Sequence, residues 1–422
     1  MEQFEYPKFK ASMRKTHTIL IPSMLDIHMS LFESVLKQSG YKVEIMRNEG
    51  PDVVNEGLKY VHNDTCYPAL LVIGQFIDNL NHRDDLDKVV LLITQTGGGC
   101  RASNYLHLLR KALIKAGYGY IPVVSFNASN LEKDSGLQIT FNLINKLAAA
   151  MTYGDVLMYL YNKTRSYEIK KGSAKELTNK LCKYITDEFD KGKGTSYRAL
   201  KKNINYIALE FDKLKLDLSH AKPKVGIVGE IYIKYAALGN NHLEEFLVSQ
   251  DAEVMTPGLY GFLLYTFYNS IYDYKLYGRS KLGSYISKFL IKYLRRRETL
   301  MINAITKTKF TPMQYFSHTK DLSEGVLHHG TKMGEGWLLT AEMMELVEIG
   351  YNNIICAQPF GCLPNHICGK GVMKKIKAIH PTANIVAIDY DPSATKVNQE
   401  NRIKLMLAIA RESIKEDEKV TL

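Results

Sequence analysis

A rhythm of short apolar runs separated by stretches of helical period limits the folds open to this chain. Val89–Thr94 (Val-Val-Leu-Leu-Ile-Thr) is almost continuously apolar, the pattern of a strand buried on both faces of a parallel sheet. Residues 18–22, 42–46 and 121–126 read as further strands. Helical patterns lie between them, at residues 25–40, from Cys66 to near Leu80, and at 104–116. Leu70, Ile73, Phe76, Ile77 and Leu80 give the second of these its apolar face. Strands alternating with helices imply a parallel sheet covered on both sides, so residues 1–137 are expected to form one doubly wound α/β domain.

The rhythm stops and then returns. Residues 138–222 show long helical segments rich in Lys, Tyr and Leu, interrupted at Lys191 to Gly194, and read as a helical region joining two sheets. Pro223 restarts the alternation, with strands at 224–229, 252–255, 353–357 and 384–389 and helices at 241–250, 337–349, about 369–379 and about 398–415. Residues 223–422 are therefore expected to form a second domain, with a helical insertion at about 261–309 whose Tyr and Phe stripe packs in the core. The expected class is α/β: two doubly wound, flavodoxin-like parallel sheets with helical insertions and a cleft between them. A length of 422 residues suits such a division, since a domain takes roughly 100 to 200 residues.

Composition narrows the setting. No apolar run approaches the roughly 20 residues of a membrane span, and the start Met-Glu-Gln-Phe-Glu-Tyr lacks a signal pattern, so a cytoplasmic protein without a membrane partner is expected. The formal charge is +11, but the lysines are spread along the chain. The dense run Arg295-Arg296-Arg297 reads as a solvated helix face rather than a nucleic-acid site. An anionic small molecule or an acidic protein partner is an equally good use of the excess charge.

Six cysteines are too few for a disulfide scaffold, and in a reducing compartment thiols near strand ends point to metal or catalysis. Half of them fall in the stretch from Cys356 to Gly371. There Pro359 and Gly361 end a strand and place Cys362 where an open α/β sheet presents ligands. Cys66 opens a helix after Asn-Asp-Thr, and Cys100 follows a strand and the triplet Gly97, Gly98, Gly99. Cys66, Cys100 and Cys362 are thus the expected metal ligands. Zinc usually takes closely paired Cys or His ligands, and no such pairing occurs. Isolated thiols from two domains suit a 4Fe-4S cluster in the cleft, with one iron lacking a thiolate. The glycines at 97–99 and Gly361 would let N–H groups approach the sulfides. Cys356 reads as core, Cys182 as a packed helix residue, and Cys368 as either a fourth ligand or a buried thiol. His366 and Lys370 follow Cys362 and could bind an anion or protonate a leaving group. Arg101 could neutralise cluster charge or a phosphate. Glu335 reads as a base near substrate or as a helix-start carboxylate. His328 and His329 lack a third ligand at helical spacing, and Asp389 and Asp391 lack a glycine-rich phosphate loop, so no ATP site is expected.

Asp64-Thr65-Cys66-Tyr67-Pro68, Gly98-Gly99-Cys100-Arg101, Gly229-Glu230-Ile231-Tyr232, Gly334-Glu335-Gly336-Trp337, Gln358 to His366 and Asp389-Tyr390-Asp391-Pro392 resemble the 2-hydroxyacyl-CoA dehydratase superfamily. They are most similar to the cluster-bearing part of its large activase-associated proteins. The resemblance implies a 4Fe-4S cluster held by Cys66, Cys100 and Cys362 and reduced by a separate ATP-hydrolysing iron-sulfur activator. In the family's dehydratases, which pair two homologous subunits, one electron enters a CoA-thioester carbonyl. The ketyl radical so formed expels the 2-hydroxyl group, and the electron is recycled. A homodimer or heterodimer acting on an acyl-CoA as a lyase is the corresponding expectation. Another branch of the superfamily, reductases of small molecules, carries an 8Fe-9S double cubane, which here would require all six cysteines, Cys182 included. A non-catalytic electron carrier or scaffold for an activator, and a zinc-stabilised binding module, are the alternatives from other classes.

Overall fold

The computed structural model describes residues 6–62, 64–95, 99–126 and 136–421, with side chains as far as residue 415. The first sheet is built from β1 (Thr18–Ile21), β2 (Lys42–Ile45), β3 (Val89–Thr94) and β4 (Val123–Phe126). Its helices are α1 (Asp26–Gln38), α2 (Pro51–Tyr60), α3 (Tyr67–Asn81) and α4 (Tyr105–Lys115). Three helices follow: α5 (Phe141–Thr164), α6 (Ser173–Asp190) and α7 (Tyr197–Asp212). The second sheet starts with β5 (Lys224–Gly229), then α8 (Ile231–Tyr235), α9 (Ala237–Asn240), α10 (Leu243–Ser249) and β6 (Glu253–Met255). After β6 come α11 (Leu259–Tyr277), α12 (Lys281–Ile305), α13 (Phe316–Leu322) and α14 (Gly336–Glu348). The chain closes with β7 (Asn353–Pro359), α15 (Leu363–Cys368), α16 (Met373–Ile379), β8 (Asn384–Tyr390) and α17 (Lys396–Thr421).

Both four-stranded sheets are parallel and repeat one strand order, β2-β1-β3-β4 and β6-β5-β7-β8. The chain direction across each sheet reverses between its first and third strands. Loops leaving the carboxyl ends there splay apart, and this is where such folds bind ligands. The expected pair of doubly wound α/β units is thus the observed architecture. The two sheets share their cores. On one side Ile19, Val90 and Leu92 join Tyr153 and Leu157 of α5, Trp337 of α14, and Val228 and Ile354 of the second sheet. On the other, Leu20 and Leu91 join Leu71 and Phe76 of α3, Val225, Ile227 and Leu407 of α17. The α5 to α7 region does more than link the sheets, because α5 and α6 pack on α1 and α5 also meets β6, α11 and α12.

Local differences from the sequence reading have physical causes. Helix α2 went unread because Asn, Gly and Pro dilute its pattern; it is held by a close approach to α3, where a Cβ on Gly74 would lie 2.1 Å from the Val53 carbonyl oxygen. β7 runs through Pro359, and the helical turn begins at Leu363 instead of Gly369, with Pro364 in its first turn, where a missing N–H costs nothing. The Arg295-Arg296-Arg297 run is only partly solvated. Arg297 shares the inward face of α12 with Leu294 and Met301, is 3% exposed, and donates to Asn145 Oδ1 at 2.6 Å. The aromatic stripe also divides: Tyr265 is core, whereas Tyr277, Tyr285 and Phe289 face solvent.

One buried carboxyl group welds these parts. Asp155 of α5 is within 2.7 Å of His28 Nε2 on α1 and accepts from the Leu259 and Tyr260 N–H groups that open α11, at 2.9 and 2.8 Å. Asp155→Ala strands those donors away from water and is expected to cost roughly 3 kcal/mol, read from urea unfolding, whereas Asp26→Ala at an exposed site should shift stability by less than about 0.5 kcal/mol. Glu298 supplies a pH test. Burial pushes it up to about 7 from the ordinary 4.5, while its Oε1 accepts from the Phe316 N–H at 2.6 Å. The folded chain therefore holds a proton that the unfolded chain releases, so this group's contribution is greatest below pH 4.5 and declines until pH passes about 7. Glu298→Gln keeps the acceptor and should flatten that decline in unfolding free energy measured from pH 4.5 to 8.

Candidate functional site

Three chain reversals meet at the carboxyl edges of the two sheets. Cys66 is the N-cap of α3, where the first helical N–H groups lack intrahelical partners. One of them, the Tyr67 N–H, donates to the Phe360 carbonyl at 3.0 Å and ties α3 to the exit of β7. The Phe360 N–H donates in turn to the Tyr390 carbonyl at the end of β8, at 2.8 Å. Gly361 then turns with φ 74°, and a Cβ there would stand 3.0 Å from the Cys66 Cα. Glycine alone meets both demands without strain. Cys362 follows as the N-cap of α15. Cys100 precedes the short 3-10 turn Arg101–Asn104 beyond β3. Its sulfur lies against Gly334, where a Cβ would be 3.9 Å from the Cys100 Sγ and 3.1 Å from the Pro364 Cγ. Close approaches therefore link Cys66 to Gly361, the neighbour of Cys362, and Gly334 to both Pro364 and Cys100.

Cys66, Cys362, Glu230 and Glu335 are buried at the juncture, and Cys100 is half-buried. Burial pushes the Cys66 thiol up to about 11, partly offset by the Tyr105 hydroxyl 3.1 Å from its sulfur. Burial, followed by the nearby Glu335 and Glu230, raises Cys362 much further, and Cys100 adds to the shift of both other thiols. Glu230 leaves β5 and caps α8, its Oε2 accepting from the Ile233 N–H at 2.9 Å. Glu335, just before α14, accepts from the Ile231 N–H at 2.9 Å. Both carboxyls are raised above the carboxylate range, first by burial, and Glu230 also by Glu335. Lys234 favours their charged forms, yet its ammonium is already held by both oxygens of Glu342 at 3.0 Å. A cationic group bound among these residues would reverse every one of these shifts, because each arises from an anion that burial leaves undersolvated.

Of the residues expected from sequence, Cys66, Cys100, Cys362 and Glu335 come together. His366 and Lys370 do not join them: His366 is exposed and bonded through Nδ1 to the Gln358 amide, and Lys370 is exposed with its nitrogen 3.9 Å from Asp389 Oδ1. Arg101 is exposed beside Cys100. Glu335, read as a base or as a helix-start carboxylate, stands at the N-cap of α14, and its burial favours the protonated form. Cys356 is core in β7, its thiol 3.4 Å from Asn365 Oδ1, and Cys368 ends α15 at 1% exposure. Cys182 packs within α6, whose neighbours α1, α5 and α7 carry no other cysteine. This separates it from any six-thiol set. Gly97 and Gly98 lie outside the described residues, and the Gly99 N–H donates to the Met333 thioether at 3.0 Å. Sequence reasoning gave no role to Glu230 or Tyr105. The signal for Glu230 was its place between a strand-ending Gly229 and a helix start.

Among the described residues, no three or more His, Cys, Asp or Glu side chains are arranged to hold a metal ion. A lone zinc ion needs its ligands within one coordination sphere, whereas thiolates on the corners of an iron-sulfur cube are held apart by the cube itself. A cavity of about 100 Å3 lies elsewhere, behind α14, lined by residues that include Asp155, Glu298 and Met301 and none of the thiols. No described helix is long and apolar enough to cross a membrane. No protein-family model matches the chain, and no curated protein is similar to it. The Gly361 contact is testable against Gly350, which has φ 88° and open space where a Cβ would go. Gly350→Ala should cost about 1 kcal/mol for its backbone alone. Gly361→Ala should cost measurably more in urea unfolding, because its Cβ also meets the Cys66 backbone.

Proposed function

We propose that this chain is an iron-sulfur protein of 2-hydroxyacyl-CoA dehydratase type. Cys66, Cys100 and Cys362 would hold a 4Fe-4S cluster, and the observation that carries the reading is the contact chain joining these residues across the two sheets. The donor chemistry supports it: the Cys66 and Cys362 thiols and two carboxyls sit where burial disfavours their charged forms, a setting that a cationic core neutralises. When bound, such a cluster supplies a one-electron donor with an open coordination position. The chain's own contribution is the buried pair Glu230 and Glu335, whose protonated forms burial favours and which would serve a departing hydroxyl group. Tyr105 steadies the Cys66 sulfur, and Cys66, Cys362, Glu230 and Glu335 are held away from bulk solvent.

The surroundings favour a protein partner at this site. Phe360, Leu363 and Ile367 surround Cys362 in sequence and are 56, 62 and 49% exposed, an apolar collar that an activator or a second homologous subunit would cover. The reaction assigned to the family is the loss of water from a 2-hydroxyacyl-CoA, fed by an ATP-hydrolysing activator. A non-catalytic electron carrier uses the same thiols and collar but has no need of a proton-holding pair. The buried Glu230 and Glu335 therefore favour the lyase.

Anaerobic reconstitution with iron and sulfide tests the reading. Brown protein with about four irons per chain is expected, with the colour lost in Cys362→Ala and kept in Cys182→Ala. Colourless protein free of iron would overturn it. Activator-dependent loss of a 2-hydroxyacyl-CoA then separates a lyase from a carrier.

A further inference from the structure

The hairpin of α11 and α12 is anchored at its root and bare at its tip. Leu259, Tyr260 and Leu264 of α11 and Leu294, Leu300, Met301 and Ile305 of α12 are buried. At the other end, every residue from Tyr274 through the Gly278 turn to Leu282 is exposed. The start of α12 reverses the usual sidedness of a surface helix. It buries Ser284 and Ser287, at 2 and 4% exposure, and shows Leu282, Tyr285, Ile286 and Phe289 to solvent at 70, 58, 51 and 67%. These four are spaced i, i+3, i+4 and i+7 and form one stripe. Tyr277 of α11, 58% exposed, extends the apolar surface across the turn.

Charge is equally one-sided. Between Asp273 and Glu298 the chain has eight Lys and Arg residues and no Asp or Glu. Asp273 itself is paired with Lys332 and with Arg279 at 3.6 Å, and Glu298 is buried. Lys281 and Lys288 are exposed one residue off the apolar stripe and Lys292 is exposed one turn beyond Phe289, and Lys288 lies 5.3 Å over the Tyr285 ring. Two copies of this tip would bring like charges face to face, which opposes self-association.

We propose that this tip is a peripheral membrane-binding element that docks on an anionic lipid surface. The occupant follows from shape and chemistry together. The apolar side chains crown a convex turn built from two helices, so they can enter a soft interface without needing a complementary groove. Tyrosines accompany the aliphatic and Phe residues, as in side chains that bridge headgroups and acyl chains. The cations flanking them, with no carboxylate in the segment, match anionic headgroups. No spanning helix is involved, and none of the thiols lies on the hairpin.

Full-length protein is mixed with vesicles of phosphatidylglycerol and phosphatidylcholine, or of phosphatidylcholine alone, and sedimented. The proposal predicts pelleting with the anionic vesicles at low salt and weaker binding at ~1 M salt, where the screening length falls to about 3 Å. Tyr285→Ser with Phe289→Ser should weaken binding at least about tenfold, as should Lys288→Glu with Lys292→Glu; these positions are exposed, and unchanged circular dichroism confirms folding. In Phe289→Trp, the emission should shift to the blue on adding anionic vesicles, against a buried Trp337 that does not move. Protein left in the supernatant with anionic vesicles at low salt overturns the proposal and assigns the face to an acidic protein surface. Undiminished binding by the double variants overturns it as well.

Discussion

The hydrogen bond from the Tyr67 N–H to the Phe360 carbonyl, with Gly361 pressed against the Cys66 backbone, is the constraint on which the site depends. A helix start supplies donors with no partners inside the helix, and the end of β7 supplies an acceptor freed by the turn that follows. Their union fixes two cysteines of different sheets beside one another. It also sets where the chain goes next, since Phe360 is held from its other side by β8. Because the two sheets share continuous cores on both sides, this local bond is backed by the packing of the whole molecule instead of bridging two loosely tethered bodies.

Repetition of one strand order explains why the chemistry collects at that point. In each sheet the connections diverge at the carboxyl ends of the first and third strands. Cys100 follows β3, Glu230 follows β5, and Cys362 follows β7. What gathers there is costly in a folded protein: thiols and carboxyls out of water, with Glu335 close enough to raise Glu230. Proteins keep such an arrangement where function needs it. The ion pair of Lys234 with Glu342 behind the site limits the cost without removing it, since one ammonium serves one carboxylate directly.

Much of this was legible in the sequence because parallel strands buried on both faces announce themselves as unbroken apolar runs. The bounds of β3 and β5 were read to the residue, and Cys66, Cys100 and Cys362 were placed at element ends by their Gly and Pro neighbours. What escaped depended on partners far away in the chain. Glu230 looks like an ordinary cap until Glu335 is brought opposite. His366 and Lys370 looked functional by nearness to Cys362, but the turn into α15 carries them toward Gln358 and Asp389. The helical turn before Gly369 escaped too, although Pro364 suits the first turn of a helix. The sidedness of α12 was hidden for a similar reason: nothing in its own residues says that the serines, and not the Phe and Ile, face α11.

The central claim is that sulfurs scattered along the gene meet in the folded chain. A short reagent that bridges two thiols, such as dibromobimane, added to metal-free protein under anaerobic conditions and followed by peptide mass spectrometry, measures this directly. The account predicts bridged peptides that join Cys100 to Cys66 or to Cys362, absent when the protein is unfolded in urea before treatment, and no bridge from Cys182 to any of the three. Single, unbridged modification of Cys66, Cys100 and Cys362 in the folded protein would contradict it.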